Sequence, residues 1–229
     1  MKTALVLQVR LDSSRLPGKA LLPLGGKPLI ARVMERLTAC RAGVNILACP
    51  DDDASRAAFE PLARAAGFEV FCGSKLDVLG RFCAAIKFFA LDGGIIRATG
   101  DNPFVFADAA RALVREAAAL DADYAAFAGL PYGAGVEVVS ARALLRAGEA
   151  AATEAEREHV CPYLYGHPEL FTLHRPLCPR KWRAPNVRLT VDTPEDYRHA
   201  SELAAILGNG SWRGVSGERL IKKASLLAK

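Results

Sequence analysis

Ala4-Leu-Val-Leu-Gln-Val-Arg-Leu-Asp-Ser-Ser-Arg-Leu-Pro-Gly-Lys19 is the stretch on which the reading of this chain turns. A short apolar run, Ala4 to Val9, passes directly into a loop that carries Arg10, Ser13, Ser14, Arg15, Gly18 and Lys19. Guanidinium forks, an ammonium, hydroxyls and backbone N–H groups are the donors that surround a bound polyphosphate. The loop follows a strand-like run and precedes a helix-like one, which is where open α/β sheets place their ligands. A solvated basic loop is the other reading of the same residues.

Working outward, apolar runs that read as strands alternate with longer helical patterns. Strands are expected at Thr3 to Val9, Val44 to Cys49, Phe68 to Cys72, Gly94 to Thr99 and Asp123 to Phe127. Between them fall helices at Leu29 to Cys40, Ala54 to Ala66, Leu76 to Ala90 and Phe106 to Leu120. This β-α-β-α order predicts a mainly parallel sheet with helices on both faces. Beyond Gly129 the pattern loosens, with short strands at Val136 to Val139 and Leu170 to His174 and helices at Ala141 to Ala151 and Glu154 to Tyr165. Helices at Pro194 to Leu207, opened by the cap candidates Asp192 and Thr193, and at Ser216 to Leu227 complete the chain. No repeat or low-complexity linker divides it. The expectation is one domain over 1–229, with a smaller substrate or dimerisation sub-region at about 130–185.

With 229 residues, 51% of them hydrophobic, the chain has enough apolar surface for a sizeable core. A net charge of +5 suits an anionic ligand, but no Lys/Arg block is interleaved with aromatics, so no nucleic acid is expected as a partner. The six cysteines show no C-x-x-C pair and no zinc spacing, which points to a reducing compartment. Ala4 to Val9 is too short for the apolar core of a signal peptide, and no run reaches the length of a membrane span. A cytoplasmic protein with no membrane partner is the expectation.

Three further clusters carry chemistry. Arg97-Ala-Thr-Gly-Asp-Asn-Pro-Phe104 places Asp101 just past a strand, at the same sheet edge as the basic loop. A carboxylate facing a basic loop suits a hard divalent cation shared with phosphates, while the Gly-Asp-Asn-Pro sequence also reads as a simple turn. In Arg188-Leu-Thr-Val-Asp-Thr-Pro-Glu-Asp196, Asp192 is either the cap of the next helix or a second carboxylate for that cation. Glu154-Ala-Glu-Arg-Glu-His159 is either a substrate-contacting segment or a surface charge network.

These blocks in this order resemble the cytidylyltransferase family of spore coat polysaccharide biosynthesis proteins, relatives of the acylneuraminate and 3-deoxy-manno-octulosonate cytidylyltransferases. The resemblance runs from about Lys2 to Leu203 and rests on Ser14-Arg-Leu-Pro-Gly-Lys19, Asp77-Val-Leu-Gly-Arg81, Thr99-Gly-Asp101, Glu156-Arg-Glu-His159 and Val191-Asp-Thr-Pro-Glu-Asp196. It implies a nucleotide-diphospho-sugar transferase fold, a Rossmann-like three-layer α/β/α arrangement. The implied activity is activation of an acid sugar with CTP, giving a CMP-sugar and pyrophosphate in surface polysaccharide or glycan biosynthesis, with Mg²⁺ as cofactor. Carried onto this chain, Arg10, Ser14, Arg15 and Lys19 hold the triphosphate, with Lys19, Arg15 and Asp101 catalytic. Asp101 and Asp192 hold the metal, Asp77 and Arg81 lie beside the nucleoside, and Glu137, Arg157, Glu158 and His159 face the acceptor. A homodimer is a further expectation.

Two positions depart from the family pattern: Asp12 stands where its loop usually carries glycine, and Gly135 where an aspartate is usual. A carboxylate beside a triphosphate is electrostatically unfavourable. These two positions motivate one alternative, a non-catalytic nucleotide-sugar-binding homologue; transfer of another nucleotide or to a sugar phosphate, and a subunit that docks a partner through the amphipathic Ser216 to Leu227, stay open as well.

Overall fold

The computed structural model describes residues 3–227. The first strand, β1 (Ala4–Gln8), lies at the centre of the sheet, and its side chains alternate between two apolar cores. Leu5 and Leu7 enter one core and Ala4 and Val6 the other, all of them buried, as the two-residue period of a strand requires. Burying each of the larger side chains contributes about 1.5–3 kcal/mol.

After β1 the basic loop ends in a single 3₁₀ turn at Lys19–Leu21. Gly18 precedes it with φ +65°, a left-handed conformation that suits glycine. A two-stranded ribbon missing from the sequence reading follows, β2 (Pro23–Leu24) against β3 (Lys27–Pro28), turned by Gly25 and Gly26. Then come α1 (Leu29–Thr38), β4 (Val44–Pro50), α2 (Asp53–Ala65), β5 (Glu69–Gly73), α3 (Val78–Phe88), β6 (Gly94–Thr99), α4 (Ala107–Ala119), β7 (Tyr124–Ala125), β8 (Glu137–Ser140) and α5 (Ala141–Ala150). The remainder comprises α6 (Glu154–His159), α7 (Pro162–Gly166), β9 (Leu173–His174), α8 (Pro194–Leu207) and α9 (Gly217–Leu227).

The seven-stranded sheet has the order β5-β4-β1-β6-β8-β7-β9. β5, β4, β1 and β6 are mutually parallel; β8 is antiparallel to both its neighbours, β6 and β7, and β9 is parallel to β7. The mainly parallel α/β/α architecture expected from the sequence is therefore observed, with β8 as the reversed strand. Residues of α1, α2, α4, α8 and α9 fill the core on one face, and those of α3, α5 and α7 the core on the other.

One difference from the expected elements has a physical cause. The helix expected over Glu154 to Tyr165 is broken after His159. Val160 takes φ 72° and ψ −55°, the Cys161 N–H donates to the His159 carbonyl at 2.9 Å, and Pro162 restarts the chain as the first residue of α7. Proline lacks the N–H that a continuing helix needs, so the chain restarts at Pro162 as a new first turn. A buried β-branched residue at this φ is strained, so packing on both sides holds the turn. Between the last two helices, the segment 208–216 is pinned under α1 by two fully buried arginines. Arg32 lies over the Trp212 ring at 4.1 Å and donates to the Gly210 carbonyl at 2.8 Å. Arg36 donates to the carbonyls of Val105 (3.1 Å), Trp212 (2.6 Å) and Val215. The C-terminal α9 then buries Leu220 in the chain's own core, and the Gly217 N–H donates to Asp108 at 3.2 Å.

Among the described residues no helix is long and apolar enough to cross a membrane. All six cysteines are free thiols.

Candidate active site

Three chain segments converge at the carboxyl edge of the parallel strands: the loop after β1, the turn after β6 and the segment before α8. Gly100 N–H donates to the Gln8 carbonyl at 2.8 Å and Val191 N–H to the Asp101 carbonyl at 2.9 Å, so backbone bonds tie all three together. At their junction the Lys19 ammonium donates to Asp101 Oδ2 (3.2 Å), Asp192 Oδ1 (2.9 Å) and the Val191 carbonyl (2.9 Å). Thr99 Oγ1 donates to Asp101 Oδ1 at 2.6 Å, and the Asn102 amide donates to Thr99 Oγ1 at 2.8 Å, which fixes the first carboxylate. Gly133 is needed close by. It has φ +85°, and a Cβ there would lie 2.6 Å from the Thr190 backbone nitrogen.

The choice between cap and cleft for Asp192 is settled by its neighbours. Thr193 is the N-cap of α8, its hydroxyl accepting from Asp196 N–H, while the Asp196 carboxylate accepts from the backbone N–H groups of Asp192 (2.9 Å) and Thr193 (3.0 Å). That reciprocal box leaves the Asp192 carboxylate free to face Lys19 and Arg15, the latter at 3.4 Å. Arg188 clamps the back of the segment, donating to Asp196 at 2.6 Å and to Asp192 at 3.3 Å. Hydrogen bonding from Arg188 holds the Asp196 carboxyl far below the usual carboxylate range.

These residues open onto a cleft of about 610 Å³. Arg10, Ser14, Arg15, Lys19, Arg81, Asp101, Glu137, Glu158, His159 and Asp192 of the expected set all line it. Six cations against four carboxylates give the walls a positive balance, the sign a polyphosphate requires. Arg10 pairs loosely with Glu158 at 3.6 Å across the rim. Arg81 donates to the Ser74 carbonyl at 3.0 Å, and burial lowers its pKa from the ordinary arginine value.

Two expected site residues lie elsewhere. Asp77 is the N-cap of α3, accepting from Gly80 N–H at 2.8 Å, and is not among the cleft-lining residues. Arg157 donates to the Gly148 carbonyl at 3.0 Å and pairs with Asp77 at 3.6 Å, also outside the cleft walls. Asp12, the unfavourable carboxylate of the loop, is engaged by Lys75 at 2.5 Å, and that hydrogen bond lowers its pKa. It does not line the cleft, so its charge is compensated at the side of the loop.

Sequence reasoning missed Gln8, Lys75, Arg97, Thr99, Asn102 and Tyr124, all of which line the cleft. Arg97 had a legible signal: a cation inside the apolar strand Gly94–Thr99 has to find a buried partner. That partner is Glu137, opposite it in the β6–β8 register. Burial opposes the Arg97 charge, and Glu137 outweighs burial, so its pKa stands above the ordinary arginine value. Tyr124 donates to the other Glu137 oxygen at 2.7 Å; burial and that carboxylate push its hydroxyl pKa up.

Comparison with known proteins places this geometry. The cytidylyltransferase family profile matches residues 4–219. The chain is 34% identical over 203 residues to the spore coat polysaccharide biosynthesis protein SpsF of Bacillus subtilis, covering 86% of this chain and 84% of that one. Its fold matches a cytidylyltransferase from Leptospira borgpetersenii with a TM-score of 0.88 at 24% identity, over 100% of this chain and 95% of that one. It also matches the CMP:2-keto-3-deoxy-manno-octonic acid synthetase complexed with CTP, with a TM-score of 0.67 at 17% identity, over 90% and 98% of the two chains. The match across almost the whole chain, joined to a basic loop facing two carboxylates at the sheet edge, assigns this chain to the cytidylyltransferase family, as a CTP-dependent nucleotidyltransferase.

Proposed function

We propose that this enzyme transfers CMP from CTP to an acid sugar in surface polysaccharide or glycan biosynthesis, in the cytoplasm. The observation that carries the reading is the Lys19 ammonium bridging Asp101 and Asp192, which brings the basic loop and two carboxylates to one point. Arg10, Ser14, Arg15 and Lys19 hold the triphosphate, and Arg81 lies on the wall beside the nucleoside.

The donor set fits a hard divalent cation. Two carboxylates already share one positive charge, and in the same turn Asn102 Oδ1 is buried with no hydrogen-bond partner. Asp101 and Asp192 would be the protein's ligands, with substrate phosphates supplying the further oxygens that magnesium prefers. Mg²⁺ bound there supplies charge neutralisation of the phosphate oxygens and acidifies the attacking hydroxyl.

In the transfer, the acceptor hydroxyl oxygen forms a bond to the α-phosphorus in line with the departing oxygen. The bond from the α-phosphorus to the oxygen bridging it to the β-phosphorus breaks, the hydroxyl proton passes to solvent, and pyrophosphate leaves. Lys19 and Arg15 neutralise the charge that grows on the leaving group. The loop and the two carboxylates act chiefly by positioning, and no covalent enzyme intermediate is required.

The test is pyrophosphate release from CTP, UTP, ATP and GTP with acid sugars, neutral sugars and sugar phosphates as acceptors. CTP with an acid sugar is the expected pair. Asp101→Ala is expected to lower turnover by roughly 10³-fold or more with an unchanged circular dichroism spectrum. Turnover near that of the wild type in this variant would remove Asp101 from the mechanism.

A further inference from the structure

Of the six cations that line the cleft, five belong to its basic-loop side: Arg10, Arg15, Lys19, Lys75 and Arg81. Arg97 is the sixth, and it stands apart on β6, four residues before Asp101, next to β8. Its side chain is 14% exposed, and two of its nitrogens are committed: Nε donates to Gln8 Oε1 at 3.1 Å and Nη1 to Glu137 Oε2. The third, Nη2, makes no hydrogen bond to a described residue and is not among the buried atoms left without a partner, so it faces the cleft. Glu137 is itself held from its far side by Tyr124. The result is a guanidinium fixed in plane and direction by Gln8 and by the Glu137–Tyr124 pair, with one donor nitrogen open on the cleft wall.

A fixed guanidinium edge is a receptor for a planar carboxylate. Arg157, the other arginine expected to face the acceptor, is engaged outside the cleft walls, which leaves Arg97 as the acceptor-side cation among the described lining residues. Glu137 keeps the empty site neutral and competes with an incoming anion for the same guanidinium. A carboxylate docking here gains the open edge; a neutral or cationic group gains nothing from it.

We propose that Arg97 reads the carboxylate of the acceptor through Nη2, with Gln8 and Glu137 as positioning residues that hold the guanidinium. The inference rests on the acid-sugar reading above and adds the residue that selects the acid.

The experiment uses the full chain with CTP bound and magnesium present. The probes are 3-deoxy-manno-octulosonate, N-acetylneuraminate and glucuronate, each paired with its neutral carboxamide. Binding is followed on the ¹⁵N signal of Arg97 Nε, and turnover by pyrophosphate release. At least one free acid is expected to shift that signal while its amide does not. Arg97→Gln is expected to raise the KM for that acid by roughly tenfold or more, the effect of one lost charge-assisted contact, with the KM for CTP within about twofold. Glu137→Gln, which removes the internal competitor, is expected to lower the same KM severalfold, the opposite of what damage to the fold would do. Because Arg97→Gln leaves a partly buried carboxylate unpaired, the Arg97→Gln/Glu137→Gln pair provides a neutral floor as the second variant, with the same loss expected. An acid turned over with an unchanged KM in the Arg97 variants overturns this proposal and leaves the acid-sugar reading standing. An acid that is turned over without shifting the Arg97 signal likewise overturns this proposal alone, whereas a neutral sugar or sugar phosphate as the productive acceptor overturns both.

Discussion

Replacing Lys19 by methionine tests whether the ammonium and the divalent cation use the same seat. In the nucleotide-free chain, Lys19 touches Asp101 at 3.2 Å and Asp192 at 2.9 Å, and its side chain is only 14% exposed. Both carboxylate oxygens touch one nitrogen, so they lie at most about 6 Å apart, a repulsion of about 3 kcal/mol at an effective dielectric of about 20 and under about 1 kcal/mol in water. Without the ammonium, only Arg15 and Arg188 on Asp192 and the Thr99 hydroxyl on Asp101 still offset that repulsion, so about 1–2 kcal/mol of it is felt and melting in EDTA should fall by roughly 2–8 °C for a chain of this size. Divalent cation should then restore more stability to Lys19→Met than it adds to the wild type. Its half-saturating concentration should be lower by about tenfold, because each 1.4 kcal/mol of displaced competition is a factor of ten. The same variant should bind CTP more weakly, since the ammonium no longer reaches the phosphates. If the seat is shared, CTP added to the wild type is expected to draw Lys19 off the carboxylates and tighten the metal, and by reciprocity the metal should tighten CTP. The assay is a thermal-shift titration with Mn²⁺ or Mg²⁺, with and without CTP. A cation midpoint in Lys19→Met equal to or weaker than that of the wild type would refute the shared seat.

Two further outcomes follow from the buried and clamped charges. Arg36→Met should cost about 3–5 kcal/mol in urea unfolding, because the carbonyls of Val105, Trp212 and Val215 lose their buried donor; a loss under about 1 kcal/mol would show that water replaces it. Asp196→Asn should lose about 1–2 kcal/mol at pH 7, a figure held down because Arg188 is half exposed. The Asp196 carboxyl is depressed in the folded state, so its contribution is complete above its unfolded value of about 4 and disappears as pH falls through the folded value; the two proteins should converge in strong acid, and a gap independent of pH would contradict the ion pair.

The Arg188 clamp also shows how far local sequence reaches. Thr193-Pro-Glu-Asp196 is a capping signature written within four residues, and the fold uses it as written, which frees Asp192 for the cleft. The alternation of Leu5 and Leu7 with Ala4 and Val6, and the helical runs between strands, were legible for the same reason: burial repeats with the period of the local backbone. The loop motif and the aspartate after β6 were legible because parallel strands present their carboxyl ends at one edge.

What the sequence alone determined, then, was the layered α/β plan and the edge on which the chemistry gathers. Only the tertiary structure decided which charges meet there. Arg97 and Glu137 are 40 positions apart in the chain and face one another because β8 enters the sheet reversed beside β6. Asp77 and Arg157 carried motif signals, yet the packing of α3 against α6 pairs them with each other, and neither is among the cleft-lining residues. Arg36 finds its carbonyl partners 69 to 179 residues away. Hydrophobic period and cap chemistry act over one or two turns of backbone, so they are written locally. The partner of a charge depends on strand order and register, which are set only when the two cores close on the sheet.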